Sequence, residues 1–154
     1  MKVRRSISYL LHRITKRLDQ HPDVPPLAMR YLLLLQDYSP NQIKSLLFHR
    51  VLETEIDGVV EMYEFIEIMI LTESYQDKTI PQFMEIVKEL SSGVISNPDD
   101  PKFGQNSTMV LKTITAQRRH EFREAFKFLD KQDTKDGVIS EKDLLVAMER
   151  YVWL

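Results

Sequence analysis

The 154-residue chain contains no cysteine and only four glycines. Without cysteine it has no disulfide scaffold and no Cys-ligated zinc site, and it suits a reducing compartment. The sequence also has no Gly-rich phosphate loop, no nucleophile elbow and no His-Glu-x-x-His motif. The histidines share no metal-ligand spacing with one another, and they are His12, His21, His49 and His120. We therefore expect no enzymatic activity.

Long apolar runs are absent as well. No stretch approaches the roughly 18 apolar residues that a membrane-spanning helix requires, and the first segment has no apolar core of the secretory type. We therefore expect a cytoplasmic protein. A mitochondrial or membrane-associated location through the basic first helix is the alternative.

Short polar breaks divide the rest of the sequence into amphipathic segments, which predicts an all-α fold. The predicted helices cover residues 4–19, 26–36, 81–90, 109–129 and 141–152, with one more helix on each side of an acidic loop at 53–64. Ser39 is placed to cap a helix that begins at Pro40. We expect an N-terminal lobe at 1–90, a flexible linker at 91–107 that is rich in Ser, Asn, Pro and Asp, and a C-terminal unit at 108–154.

The most informative segment is the acidic loop at 53–64. Carboxylates occupy its first, third, fifth, ninth and twelfth places, and Gly58 stands sixth. Ca²⁺ takes about six to eight oxygen ligands, which alternate residues of a short loop can supply, and glycine permits the sharp turn that such a loop needs. The predicted ligands are Glu53, Glu55, Asp57, the Val59 carbonyl, Glu61 and Glu64.

This loop and its helical flanks resemble the EF-hand calcium-binding family. Apolar residues at helical spacing precede and follow it, and they are Ile43, Leu46, Leu47, Val51, Phe65, Ile66 and Met69. The loop departs from the family pattern because it begins with Glu53 rather than aspartate. The alternative is an acidic helix–turn–helix that binds no ion tightly. The resemblance implies EF-hand helix–loop–helix pairs, with two lobes of the calmodulin type as one possible arrangement.

A second acidic loop, at 130–143, matches the pattern less well. Counting back from Gly137 puts Gln132 in the first place, whereas Asp130 lies two residues earlier. Either the loop has a two-residue insertion, or it is an empty pseudo-loop. Aspartate in the last place reaches less far than glutamate, which favours Mg²⁺ or no ion over Ca²⁺. The candidate ligands of this weaker site are Asp130, Asp133, Asp136, the Val138 carbonyl and Asp143.

The loop spacing leaves two pairing schemes open. In a paired EF-hand the eighth-place residues of two loops form a small antiparallel sheet. A four-hand scheme with two degenerate loops pairs Val60 with Val24 and Ile139 with Ile95. The other scheme pairs Val60 directly with Ile139. We expect the four-hand scheme.

Residues 2–18 combine an apolar stripe with a basic face. Such a helix can lie on an anionic membrane, act as a presequence, fill the groove of a calmodulin-like lobe, or be a core helix with a solvated basic side. We expect the core helix and leave membrane contact open. Nucleic-acid binding is not expected, because the basic patch is a single short helix and residues 39–110 are acidic.

The EF-hand resemblance implies a calcium-binding regulatory protein that grips a protein partner, most simply an amphipathic helix. The alternative is a calcium-independent structural or light-chain-like subunit in which degenerate hands hold the helices in place. The number of loops with a complete set of ligands distinguishes the regulatory protein from the structural subunit. Only the loop at 53–64 has a near-complete ligand pattern.

Overall fold

The computed structural model describes residues 6–44, 59–60, 62–91 and 115–153. These residues form a mostly helical fold with one two-stranded sheet, which agrees with the all-α prediction. In chain order the elements are α1 (Ile7–Gln20), α2 (Pro26–Leu34), α3 (Pro40–Ile43), β1 (Val59–Val60), α4 (Met62–Ser74), α5 (Ile80–Ser91), α6 (Ala116–Asp130), β2 (Ile139–Ser140) and α7 (Glu141–Tyr151).

The short helix α2 lies at the centre of the fold. It packs against α1, α4, α6 and α7, and nearly all of its side chains are buried. A helix that is apolar on all sides is stable only when other elements surround it. Described residues on both sides of the predicted linker consequently contribute to one hydrophobic core. The domain boundaries proposed from the sequence stay a prediction.

The basic helix α1 is part of this core. Ile7, Leu10 and Ile14 are buried, while Lys16 on the opposite side is exposed. The start of the helix is held by backbone hydrogen bonds from Ile7 N to the Lys78 oxygen (2.9 Å) and from Ser8 N to the Gln76 oxygen (3.0 Å). The apolar stripe of α1 therefore faces protein, and a membrane contact would have to use its basic side.

Helix boundaries follow the capping residues. Ser39 forms the predicted capping box, with Pro40 in the first turn of α3. Helix α6 begins at Ala116, and the predicted start at residue 109 is wrong, because Thr115 has an extended backbone and its side chain accepts the Arg118 N–H. A hydroxyl at this position satisfies an amide that has no partner within the helix. The predicted linker lies outside the described residues apart from Ser91, which ends α5.

The two short strands join the acidic loops. They pair antiparallel, with Val60 opposite Ile139. The four-hand expectation that Val60 pairs with Val24 is therefore wrong, and the register is that of the direct scheme. Val24 instead lies in the α1–α2 turn, where its N–H donates to the His21 oxygen (3.1 Å). Nearby prolines lack amide hydrogens and so weaken this turn as a strand partner. For the other half of that scheme, Ile139 is opposite Val60, and its predicted partner Ile95 lies outside the described residues.

A second antiparallel pairing among the described residues is the isolated bridge between Ser6 and Thr79, and each of these residues stands just before a helix. Ser6 caps α1 by accepting the Tyr9 N–H (3.1 Å). Thr79 accepts the Gln82 N–H (3.3 Å) at the start of α5. In β2, Ser140 likewise pairs across the sheet and caps α7. Short paired segments that lead directly into capped helices thus occur twice among the described residues.

Truncation of either residue of the Val60–Ile139 pair tests the contribution of the sheet to stability. Val60 is 1% exposed and Ile139 is fully buried. We expect Val60→Ala or Ile139→Ala to lower the free energy of unfolding by roughly 1–3 kcal/mol, because each leaves a cavity under the sheet. Urea denaturation measures the loss. Val59→Ala, at a half-buried position in the same strand, is the matched control. An equal loss in all three variants would contradict the prediction.

Candidate functional site

Three carboxylates converge in the loop between α6 and α7. One oxygen each of Asp130, Asp136 and Asp143 lies within 4.8 Å of the others. Asp130 is 4% exposed and Asp143 is fully buried, whereas Asp136 faces solvent. They come from the last turn of α6, the middle of the loop and the first turn of α7. A half-buried group of negative charges is costly unless it is hydrogen-bonded or neutralised.

The N-terminal half of the loop turns around Asp130. Its carboxylate accepts the N–H groups of Asp136 (3.1 Å) and Gly137 (3.0 Å). Gly137 has φ +90°, although a Cβ at this position would touch nothing within 4 Å. Backbone conformation, not space, therefore requires glycine here. Burial raises the pKa of Asp130, and the neighbouring Asp136 raises it further, while the two N–H donors lower it.

The C-terminal half closes on Asp143. Its Oδ1 accepts the N–H groups of Asp133 (2.7 Å) and Thr134 (3.0 Å). Its Oδ2 accepts the Ser140 N–H (3.0 Å), and the Ser140 Oγ accepts the Asp143 N–H in return (3.0 Å). This capping box begins α7 and fixes the position of the Asp143 carboxylate against the loop backbone. Asp143 thus makes four hydrogen bonds through its side chain and amide.

The structure also shows where the side chain of Gln132 lies. Gln132 is buried, donates from Nε2 to the Phe128 oxygen (2.7 Å) and accepts from Arg150 (2.9 Å). Its side chain is therefore engaged by the two helices and does not join the carboxylates, so Asp130 is the first acidic residue of a 130–143 loop. Asp133 stays outside the cluster, because its oxygens contact the Thr134 hydroxyl (3.1 Å) and the Lys142 ammonium (3.8 Å).

The cluster has the donor chemistry of a hard divalent cation. Carboxylate oxygens suit Ca²⁺ and Mg²⁺, which both also keep bound water when protein ligands are few. Each carboxylate oxygen has two lone pairs. After the backbone N–H groups that they accept here, the carboxylate oxygens of Asp130 and Asp136 and Oδ2 of Asp143 still have a lone pair for a cation. The residues present therefore fit a cation held by few protein ligands.

Most of the first predicted site lies outside the described residues, namely Glu53, Glu55, Asp57 and Glu61. Val59 is placed in β1, and Glu64 lies half-buried in the first turn of α4. The coordination predicted for this loop stays a prediction.

Sequence reasoning missed a polar cluster at the far end of α4. Glu73 forms ion pairs with Arg30 of α2 (3.8 Å) and with Arg118 of α6. It also missed the contacts of the C-terminus, where the Tyr151 ring lies against His21 (5.3 Å between centroids) and the Trp153 indole N–H donates to the Gln36 oxygen (3.3 Å). These contacts join residues more than 40 positions apart, so local spacing gave no signal of them.

No family model, no curated protein and no solved structure matches this chain. Among the described residues, no helix is both long enough and apolar enough to cross a membrane.

Proposed function

We propose that the chain is a cation-binding regulatory protein of the EF-hand type. The observation that carries the proposal is the convergence of Asp130, Asp136 and Asp143 in a loop whose strand pairs with the end of a second acidic loop. A glycine with positive φ in the middle of the loop supports it. So does the capped helix that starts at the last carboxylate.

In this proposal, Asp130, Asp136 and Asp143 would hold a divalent cation, with the Val138 carbonyl as a further candidate ligand. The cation would supply positive charge that offsets the repulsion among the three carboxylates. Asp143 would link that event to α7, because it lies in the first turn of that helix. The pairing of β1 and β2 would carry a shift at one loop to the other, since their backbones are hydrogen-bonded.

Ca²⁺ is the expected ion at the loop 53–64, through the ligands named above. At the loop 130–143, Mg²⁺ is the alternative to Ca²⁺, because the last ligand is an aspartate. With three carboxylates in the second loop, we expect a weak site with a Kd on the order of 10⁻⁴ M or above.

Isothermal titration tests the proposal. Ca²⁺ and Mg²⁺ are titrated separately into the wild type and into Asp130→Asn. The substitution removes the charge and one of the two acceptor oxygens, so we expect cation affinity at the second loop to fall at least tenfold. One of the N–H groups of Asp136 and Gly137 also loses its acceptor, so the free energy of unfolding should fall by about 1–3 kcal/mol, and binding is measured where the variant is still folded. Asp133→Asn, outside the cluster, is the matched control and should bind like the wild type. Absence of binding to the wild type at millimolar Ca²⁺ would refute the proposal.

The second candidate is a calcium-independent structural subunit. It is favoured by the hydrogen bonds of Asp130 and Asp143, which together accept five backbone N–H groups and hold the loop in shape. On this alternative the carboxylates act as acceptors for the backbone and no ion is needed. The same titration separates the two candidates, because the subunit binds no cation and Asp130→Asn then has no affinity to lose.

The partner in the regulatory proposal is another protein, most simply an amphipathic helix. A contact of residues 2–18 with an anionic membrane is a further proposal, and it would involve the exposed basic side of α1. Neither function requires catalysis.

A further inference from the structure

The apolar surface of α4 and α6 is covered by a helix of the same chain. The Tyr31 ring of α2 lies 5.2 Å from the ring of Phe65 in α4, and Phe65 lies 5.9 Å from Phe126 in α6. All three rings are buried. In the proposed function, this surface is where a partner helix would be expected, because α4 follows the first loop and α6 leads into the second.

One charged residue of α2 reaches across the same boundary. The Arg30 guanidinium donates to the Met69 oxygen (3.5 Å) and the Thr72 hydroxyl (3.3 Å), and it lies 3.8 Å from Glu73. These groups belong to the C-terminal half of α4, where the helix dipole attracts cations. The side chain of Arg30 is only 15% exposed, so it depends on these partners.

Glu73 also joins the third helix of the surface. Its carboxylate pairs with Arg118 of α6. Arg118 in turn lies 3.6 Å from Glu121 and sits over the Phe122 ring at 5.0 Å. Glu73 is thus shared by two guanidiniums, one from α2 and one from α6. Loss of its charge would leave Arg30 and Arg118 close together without a common counter-ion.

We propose that α4 and α6 form a helix-binding surface that binds α2 of the same chain. In this proposal, the ion pair between Glu73 and Arg30 holds α2 on that surface. The proposal rests on the proposed function, in which a cation at the loops changes the angles of the helices. Apart from Arg30, the buried side chains of α2 are mostly apolar, and the contacts of Arg30 with Met69, Thr72 and Glu73 give this helix directional polar anchoring on α4. Glu73 is accordingly a positioning residue for α2.

Amide hydrogen exchange of the full chain, measured with and without Ca²⁺, tests whether Glu73 holds α2 in place. We expect Glu73→Gln to speed exchange of residues 27–35 roughly three- to tenfold, while residues 122–129 keep their wild-type rates. In the wild type, saturating Ca²⁺ should also speed exchange in residues 27–35 relative to residues 122–129. Glu124→Gln is the control, because its ion pair with Lys127 (3.9 Å) is exposed and lies within α6.

Equal acceleration of both segments by Glu73→Gln would overturn the proposal, since α2 would then open only together with the whole core. Slower exchange of α2 in Ca²⁺ would overturn it as well. If titration shows that the wild type binds no Ca²⁺, the proposed function fails. The Ca²⁺-free comparison of Glu73→Gln with Glu124→Gln still decides whether Glu73 holds α2.

Discussion

Replacing Phe65 with alanine is expected to lower the free energy of unfolding by about 3–5 kcal/mol. Phe65 is fully buried and stands between the rings of Tyr31 and Phe126. Its removal would leave a cavity where α2, α4 and α6 meet and would break both ring contacts. Urea denaturation followed by circular dichroism measures the loss, with the slope of the transition checked for a change in the unfolded state.

Tyr9→Ala provides the comparison, because Tyr9 is 43% exposed on α1. We expect that variant to lose less than about 1 kcal/mol. A loss of similar size in the two variants would show that the three-helix junction contributes no more than a surface ring, and it would contradict the central position of α2.

Replacing Asp143 with alanine is expected to cost about 3 kcal/mol or more. Asp143 is fully buried, and its carboxylate accepts three backbone N–H groups, from Asp133, Thr134 and Ser140. Alanine would leave these donors without their acceptor and would also remove half of the capping box. Equilibrium denaturation without added metal measures the effect, so the result does not depend on cation binding.

Asp133→Ala is the matched control for Asp143→Ala, because the Asp133 carboxylate contacts the Thr134 hydroxyl and the exposed Lys142 ammonium. We expect it to cost less than about 1 kcal/mol. A stable Asp143→Ala variant, within 1 kcal/mol of the wild type, would mean that the loop does not rest on these hydrogen bonds.

Local patterns predicted much of the secondary structure. Ser39 and Pro40 began a helix as expected, because a hydroxyl that accepts an amide and a fixed φ act within a few residues. The start of α6 was misplaced because the apolar spacing before Thr115 resembles that of a helix, whereas the cap at Thr115 decides where the helix begins.

The candidate site was predicted in part. The second loop was assigned Asp130, Asp133, Asp136 and Asp143, of which three converge. Sequence left Gln132 and Asp130 as competing first residues. The position of the Gln132 side chain depends on a residue distant in sequence. Arg150, at the other end of α7, holds that side chain away from the carboxylates.

The sequence by itself determined the helical fold, the acidic loops and the glycine at the turn of the second loop, since each depends on residue types within about one or two turns. Only the tertiary structure decided that Val60 faces Ile139, that α2 fills the centre, and that Glu73 joins three helices. Each of these features depends on contacts between distant parts of the chain, and alternative tertiary arrangements would satisfy the local sequence patterns equally well. The arrangement that buries the mostly apolar α2 and pairs the strand amides has the lower free energy, and this difference cannot be read from any local sequence pattern.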